Sequence, residues 1–170
     1  MKIRKAKLAD AKGIAHVHVD SWLATYRRIV PDTYLDQISY GVREELWNDN
    51  LKAENNFVAE NDEGHIIGFA DGGKERTGKY EKLQGELYSI YMLPEYQGKG
   101  IGRSLMKKVV EHLKERGYNS MLVWVLEENP SRGFYEKMGG KQVDRKTLKI
   151  AGKELIEIAY GWEDIDLLKN

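Results

Sequence analysis

The stretch PEYQGKGIGRSLMKKVV, residues 94–110, sets three glycines two residues apart between an apolar run and a helical pattern. The preceding run, ELYSIYML (residues 86–93), is typical of a strand, and the residues after Gly102 repeat apolar side chains at helical spacing. A helix start leaves backbone N–H groups unpaired, and glycines such as Gly98 and Gly100 let a phosphate approach them closely. The stretch therefore predicts either a structural turn or a cradle for phosphate.

The glycine spacing does not match the two best-known phosphate motifs. Gly102 falls one residue too early for the dinucleotide pattern G-x-G-x-x-G, and no Gly-Lys-Ser/Thr follows four spacer residues as in a P-loop. By these residues alone, a structural turn and a phosphate site both stay open.

Composition restricts the classes of protein. The 170 residues contain 27 Lys plus Arg, 27 Asp plus Glu and no cysteine, so thiolate catalysis, disulfides and cysteine-ligated metals are excluded. The balanced charge lacks the basic excess of a nucleic-acid binder, and no apolar run has the length of a signal-peptide core or a membrane span. His16 and His18 lie two apart on a predicted helix, which separates them as metal ligands. We predict one cytoplasmic domain, residues 1–170, without a metal, nucleic acid or membrane partner.

The rest of the chain predicts the strands and helices that surround the glycine stretch. SMLVWVL, residues 120–126, reads as a strand buried on both faces, and a helix from Gly102 to Arg116 would bring it parallel to a strand at 84–93. The sequence therefore predicts an α/β (α+β) fold with a single mixed, mostly antiparallel sheet of about seven strands and helices on both faces. The other predicted strands are 2–8, 56–61, 65–73, 141–150 and 153–162, and the other predicted helices are 10–28, 31–38, 40–53 and 129–138.

The glycine stretch resembles the acetyl-CoA signature Q/R-x-x-G-x-G/A of the GNAT superfamily of N-acetyltransferases, with Gln97, Gly100 and Gly102 at its defining positions. NPSRGFYEKMGG, residues 129–140, is similar to that family's second cofactor-binding segment, and SWLATYRRIVPDTYLD, residues 21–36, to the opening helices of bacterial members. The resemblance covers nearly the whole chain. It implies transfer of an acetyl group from acetyl-CoA, without a metal, to a small-molecule or peptide amine that attacks the thioester directly in a ternary complex.

The resemblance also implies a cofactor site. The central parallel strands would splay, and the pantetheine arm would lie between them against the backbone of Ile90, Tyr91 and Met92. Asn129 would bind that arm, cap the helix that follows it, or do both. Main-chain N–H groups would hold the pyrophosphate, and the residues implied are Gln97, Gly98, Lys99, Gly100, Ile101, Gly102, Arg103 and Ser104.

Two residues are candidates for proton transfer, each with a structural alternative. Tyr135 stands where the family places a tyrosine near the CoA sulfur, so it would protonate the leaving thiolate; alternatively its ring packs beside Phe134. Glu86 lies eleven residues before Gln97, an offset at which some members carry a general base; alternatively it is a solvent-facing glutamate on a strand. A carboxylate of ordinary pKa accepts an ammonium proton poorly, so a relay role fits Glu86 better than that of a strong base.

Trp22 and Tyr26 lie four residues apart and share one face of the first long helix. In the family these helices wall the acceptor site, so the two rings would contact the substrate; alternatively they belong to the core.

Two other functions stay open at this stage. The same fold could hold CoA as a sensor without turnover, or an unrelated protein could use the same turn for another nucleotide. The acceptor amine is not readable from the sequence, and a homodimer is suggested only by the resemblance.

Overall fold

The computed structural model describes residues 1–168, and its centre is one seven-stranded sheet in the order β1-β2-β3-β4-β5-β7-β6. The strands are β1 (Lys2–Lys5), β2 (Asn56–Glu60), β3 (Ile66–Lys74), β4 (Gly85–Met92), β5 (Met121–Leu126), β6 (Lys141–Ile150) and β7 (Lys153–Trp162). The helices are α1 (Ala11–Tyr26), α2 (Asp32–Leu35), α3 (Tyr40–Asn50), α4 (Ile101–Glu115) and α5 (Arg132–Lys137). The predicted mixed sheet is confirmed.

Helices cover both faces of the sheet, as predicted. The neighbouring β3 residues Phe69 and Ala70 point to opposite faces, and each belongs to a different buried cluster. Ala70 packs with the apolar stripe of α4, which includes Leu105, whereas Phe69 packs with Ile14 of α1 and Trp47 of α3. The sheet therefore separates an α4 side from an α1–α3 side.

The two central strands, β4 and β5, are the only parallel neighbours in the described sheet, and they pair over a short distance. Their register runs from Gly85 opposite Met121 to Leu87 opposite Val123. Beyond that point β4 continues to pair only with β3, and β5 only with β7. A gap therefore opens between residues 88–92 of β4 and residues 124–126 of β5.

An irregularity in β4 accompanies the gap. Asp71 of β3 pairs with Ser89, but its neighbour Gly72 pairs with Leu87, so Tyr88 is an extra residue in β4. Such a bulge bends a strand and increases its local twist. It lies where β4 leaves β5, and we take it as the local cause of the divergence.

The C-terminal hairpin of β6 and β7 packs against the segment between α1 and α2. Leu155 of β7 shares a buried cluster with Tyr26, Ile29 and Leu126, and the Lys153 ammonium donates to the carbonyl of Ile29 at 2.7 Å. This contact holds the C-terminal end of α1 over β5.

The start of α5 differs from the sequence prediction. The helix begins at Arg132, three residues after the predicted start at Asn129. Oδ1 of Asn129 accepts a hydrogen bond from the N–H of Ser131 at 2.8 Å, and the Asn129 carbonyl accepts one from Arg132. These bonds form a turn of the kind that Asn favours, and it replaces the first turn of the expected helix.

Candidate active site

The loop before α4 presents a run of unpaired backbone donors. The N–H groups of residues 98–103 have no acceptor among residues 1–168, and the first N–H bond at this helix start runs from Ser104 to the Gly100 carbonyl. Gly98 and Gly100 have φ values of 73° and 79°, in the left-handed region that favours glycine. These turns direct successive amides outward, where the positive end of the helix dipole adds to their attraction for anions.

Gly102 has a different role from the glycines before it. A Cβ at Gly102 would lie 2.9 Å from the Cε atom of Met92 and 3.6 Å from the ring of Phe134, whereas Gly98 and Gly100 have nothing within 4 Å. The first turn of α4 is therefore packed closely against the end of β4. The amide loop stands at the open end of the gap for this reason.

The edge of β4 that faces the gap carries free backbone groups. The Leu93 N–H donates to the Ile67 carbonyl on the β3 side. Because backbone groups alternate in direction along a strand, those of Ile90 and Met92 point away from β3 and into the gap. Tyr91 lies two residues before Leu93, so its backbone groups face β3 as those of Leu93 do.

Aromatic side chains and one amide line the gap on the α1 side. Nδ2 of Asn129 donates to the hydroxyl of Tyr26 at 2.9 Å, and both residues are buried. Tyr91 lies beside Tyr26, and burial together with that neighbour raises the pKa of Tyr91 well above its ordinary value. Trp22 is half-buried, and its ring centroid lies 4.4 Å from that of Tyr26. Tyr26 thus belongs to the core, as one alternative predicted, while its hydroxyl is held by Asn129.

Tyr135 lies in the core on the first turns of α5. It is 6% exposed, stacks on Tyr160 at a centroid distance of 6.0 Å and meets Phe134 edge-on at 5.3 Å. Its hydroxyl makes no hydrogen bond to any part of residues 1–168. Burial, and secondarily the nearby Tyr26, raises the pKa of Tyr135, so its phenol stays protonated at neutral pH.

Glu86 is buried and ion-paired, so the solvent-facing alternative is wrong. It is 2% exposed, and the Arg76 Nη2 donates to Oε1 at 2.7 Å. Its Oε2 accepts from the Nε and the backbone N–H of Arg76, each at 3.2 Å. Arg76 therefore engages both carboxylate oxygens of Glu86.

Sequence reasoning missed a second carboxylate on the same face of the sheet, Asp71. It is half-buried in β3, Ser89 of β4 donates its hydroxyl to Oδ1, and burial raises the pKa of Asp71 to about 6. A signal for it exists in the sequence. In the apolar strand IIGFADGG, residues 66–73, Asp71 falls on the same face as the inward-pointing Phe69.

The histidines form no metal site. Nδ1 of His18 accepts the Trp47 indole N–H at 3.0 Å, while the His16 ring stacks on Tyr40. Within residues 1–168, no group of three or more His, Cys, Asp or Glu side chains could hold a metal ion.

No helix in that part of the chain has the length and apolar character needed to cross a bilayer.

Comparison with known proteins places this geometry in a family. The model of the acetyltransferase (GNAT) family matches residues 19–140, well over half of the chain. An uncharacterized N-acetyltransferase of Bacillus subtilis (strain 168), YuaI, is 44% identical over 99% of this chain and 96% of its own length. The chain belongs to the GNAT acetyltransferase family, and the resemblance seen in its sequence is confirmed.

More distant relatives extend the comparison. The spermidine N(1)-acetyltransferase of Thermoplasma acidophilum is 27% identical over 85% of this chain and 90% of its own length. The crystal structure of the PaiA N-acetyltransferase from the same organism, in complex with coenzyme A, superimposes with a TM-score of 0.71 at 25% identity. That match covers 92% of this chain and 96% of the other. The overall fold is thus shared with a protein whose crystal structure is a complex with coenzyme A.

Proposed function

We propose that this chain transfers the acetyl group of acetyl-CoA to a primary amine of a small molecule or peptide by direct attack within a ternary complex. The observation that carries the proposal is the run of free amides at residues 98–103, placed at the open end of the gap between β4 and β5. A diphosphate needs several convergent donors, and a pantetheine arm needs partners for its amides. The loop offers the first and the free edge of β4 offers the second.

The remaining predicted cofactor residues take their roles from this arrangement. Main-chain groups from Gln97 through Ser104 would surround the pyrophosphate, and Lys99 and Arg103 would add positive charge. The backbone of Ile90 and Met92 would pair with the pantetheine arm as a missing strand does. A backbone N–H of the splayed strand near Met92 would polarise the thioester carbonyl, since a donor aimed at the developing negative charge stabilises the transition state.

Tyr135 would hold and protonate the leaving sulfur. Its phenol is neutral and has no other partner among the described residues, so it is available to the thiolate as that group forms. Glu86, whose oxygens are occupied by Arg76, would act as a relay or as a fixed charge rather than as the first group to receive a proton. Trp22 and Tyr26 would line the acceptor site beside the thioester and contact the bound amine.

The test of the reaction is thiol release from acetyl-CoA with a panel of primary amines, alongside thermal unfolding with acetyl-CoA, ATP or NAD. We expect amine-dependent thiol release and stabilisation by acetyl-CoA alone. Stabilisation without turnover of any amine would instead identify a CoA-binding sensor. Equal stabilisation by ATP or NAD would identify an unrelated nucleotide site.

The role of Tyr135 is tested by Tyr135→Phe, which removes only the hydroxyl. We expect kcat on the best amine to fall by about 10²–10⁴-fold, the usual contribution of a positioned acid, with acetyl-CoA affinity little changed. Tyr118→Phe is the matched control, because Tyr118 is a half-buried tyrosine at the opposite end of β5. Full activity in Tyr135→Phe would show that the acid role is wrong.

A further inference from the structure

A polar row crosses three strands on the α1–α3 side of the sheet. Asn56 of β2 is the direct partner of Asp71 of β3, which in turn is the direct partner of Ser89 of β4. Directly opposite residues in antiparallel strands place their side chains on the same face, with Cβ atoms about 5 Å apart. These three side chains therefore form one continuous row.

The row is rich in hydrogen-bond acceptors and short of donors. Asp71 receives the hydroxyl of Ser89 at Oδ1, while its Oδ2 accepts from no side chain of residues 1–168. Asn56 is 3% exposed, and its Oδ1 is buried with no partner in the described chain. Its amide nitrogen is already used, since it donates to the Asn50 carbonyl and to Oδ1 of Asn55. A buried acceptor without a donor is costly, so the row is built for a group that brings N–H donors.

The row lies three residues along β4 from Met92, near which the thioester is proposed to bind. Ser89 follows the bulge at Tyr88, two residues beyond the last residue of β4 that pairs with β5, and two residues before Tyr91. Asp71 and Ser89 are both only partly buried, so solvent reaches this part of the sheet. An amine held here would stand at the narrow end of the gap.

The other nearby carboxylate is not free to serve an amine. Both oxygens of Glu86 are bound by Arg76, whereas Asp71 keeps one oxygen available. The ionisable groups that interact with Asp71 are Arg76 from the loop after β3, and Glu86 and Tyr88 from β4. Arg76 lowers the pKa of Asp71, and Glu86 raises it less than burial does.

We propose that Asp71, held by Ser89, binds the ammonium form of the acceptor amine and removes its proton, acting as the general base of the reaction. This inference rests on the proposed function and names the residue that the acceptor meets first. Asn56 would accept a further N–H of the bound amine.

With Asp71 as the base, the protons and electrons of the reaction balance. One N–H bond of the ammonium breaks and its proton passes to Oδ2 of Asp71, leaving a lone pair on nitrogen. That pair forms the bond to the thioester carbonyl carbon, and the C–S bond breaks with its electrons on sulfur, which takes a proton from Tyr135. The nitrogen then loses its second proton, which restores the phenol, and Asp71 releases its own to solvent. Each acetyl group transferred therefore releases one proton.

The experiment compares kcat/KM of wild type and Asp71→Asn between pH 5 and 9, using acetyl-CoA and the best acceptor among n-propylamine, 1,4-diaminobutane and glycylglycine. Wild type takes the ammonium form, whereas Asp71→Asn depends on amine that has already lost its proton in solution, so the two profiles should differ in their pH dependence. We expect kcat/KM of wild type to level off above pH 6, where the Asp71 carboxylate is ionised. That of Asp71→Asn should keep rising by about tenfold per pH unit toward the pKa of the amine, so a ratio of about 100 or more at pH 7 falls as the pH rises. Asp71→Glu, which keeps a carboxylate, should retain a pH-dependent advantage over Asp71→Asn.

Two controls separate catalysis from folding. Asp62→Asn, at an exposed turn of the same β2–β3 hairpin, should give a ratio near one at every pH. Stabilisation of Asp71→Asn by acetyl-CoA, as in wild type, shows that the variant is folded. If it does not fold, Ser89→Ala replaces it: loss of the Ser89 hydrogen bond should raise the pKa of Asp71 and move the acid limb of the wild-type profile to higher pH.

Three results would overturn the inference. A ratio below threefold at pH 8, or one that does not change with pH, would leave Asp71 a structural residue, and an unmoved acid limb in Ser89→Ala would do the same. In those cases the wild-type acetyltransferase activity still stands. A wild-type protein that is stabilised by acetyl-CoA but acetylates no amine would remove the proposed function and this inference together.

Discussion

The three glycines of the 97–102 turn are required for different physical reasons. Gly98 and Gly100 adopt positive φ, which a side chain would strain, and open space stands where their side chains would be. In the proposed function this space is occupied by the ligand. Gly102 is required because Met92 and Phe134 pack against it. The regular spacing of the three glycines does not show that their roles differ, because the difference depends on which atoms surround each Cα atom.

Gly100→Ala separates ligand contact from backbone strain. A left-handed Ala costs about 1 kcal/mol of folding stability, and its methyl group would stand in the phosphate cradle. We expect a small drop in Tm and a loss of acetyl-CoA affinity of tenfold or more, measured by isothermal calorimetry. Gly117→Ala is the control, because Gly117 has φ 82° and open space after α4. Gly117→Ala should lose a similar amount of stability and keep its affinity for acetyl-CoA. Equal acetyl-CoA affinity in the two variants would contradict the proposal that the loop binds the pyrophosphate.

At the scale of elements, α1 connects the sheet to the gap through aromatic contacts. His18 stacks on Tyr91 at 5.7 Å and accepts the indole N–H of Trp47, so α1, α3 and β4 meet at one imidazole. Burial lowers the pKa of His18 to about 4, with a smaller contribution from Arg43. The neutral ring is therefore part of the folded state.

This contact predicts an acid-sensitive step in stability. A folded-state pKa below the ordinary 6.5 gives stability that is complete above pH 6.5 and is lost as pH falls toward 4, by up to about 3 kcal/mol. We expect the unfolding free energy from urea titrations to fall over that range in wild type. In His18→Gln the fall should be much smaller, although the variant is less stable at pH 7.

His16→Gln is the matched control for His18. His16 lies two residues away on the same helix but is exposed, and within residues 1–168 no hydrogen bond ties its ring to the core. It should keep the wild-type pH profile. If His16→Gln lost the acid-sensitive step and His18→Gln kept it, the step would not arise from the buried ring.

At the scale of the whole molecule, the sheet is two antiparallel blocks joined by one short parallel contact. The block β1-β2-β3-β4 and the block β5-β7-β6 share only the pairs from Gly85–Met121 to Leu87–Val123. α4 packs across β2, β3 and β4, and the end of α1 packs against Leu126 of β5. Helices therefore hold together two blocks whose strands part in the middle of the molecule.

The gap predicts a localised response to the cofactor. Without acetyl-CoA, the backbone amides of Ile90, Met92 and residues 98–103 have no acceptor within residues 1–168 and should exchange with deuterium quickly. Acetyl-CoA should slow exchange in peptides covering residues 88–104, as measured by mass spectrometry. Peptides of the β6–β7 hairpin, fully paired at 141–150 with 153–162, serve as the internal control and should change little. Protection spread evenly over the chain would argue for general stabilisation and against a ligand in the gap.

Much of the fold could be predicted because its signals are local. The strand at 84–93, the helix that follows it and the buried run at 120–126 were each recognisable from periodicity and from glycine at the boundaries. The start of α5 could not be predicted, because Asn129 favours both a helix cap and a separate turn, and the hydrogen bond of its side chain to Ser131 stabilises the turn. Cytoplasmic location, a single domain and a homodimer stay predictions.

What the sequence by itself determined is the family, the order of elements and the amide loop at 97–104, since each depends on residues that are neighbours along the chain. Only the tertiary structure decided that Glu86 is bound by Arg76, that the buried hydroxyl of Tyr135 has no hydrogen-bond partner within residues 1–168, and that Asp71 has Ser89 and Asn56 beside it. Those relations join residues from different strands and loops. Burial and pairing set the charge state of such groups, and neither is a property of a residue's place in the sequence.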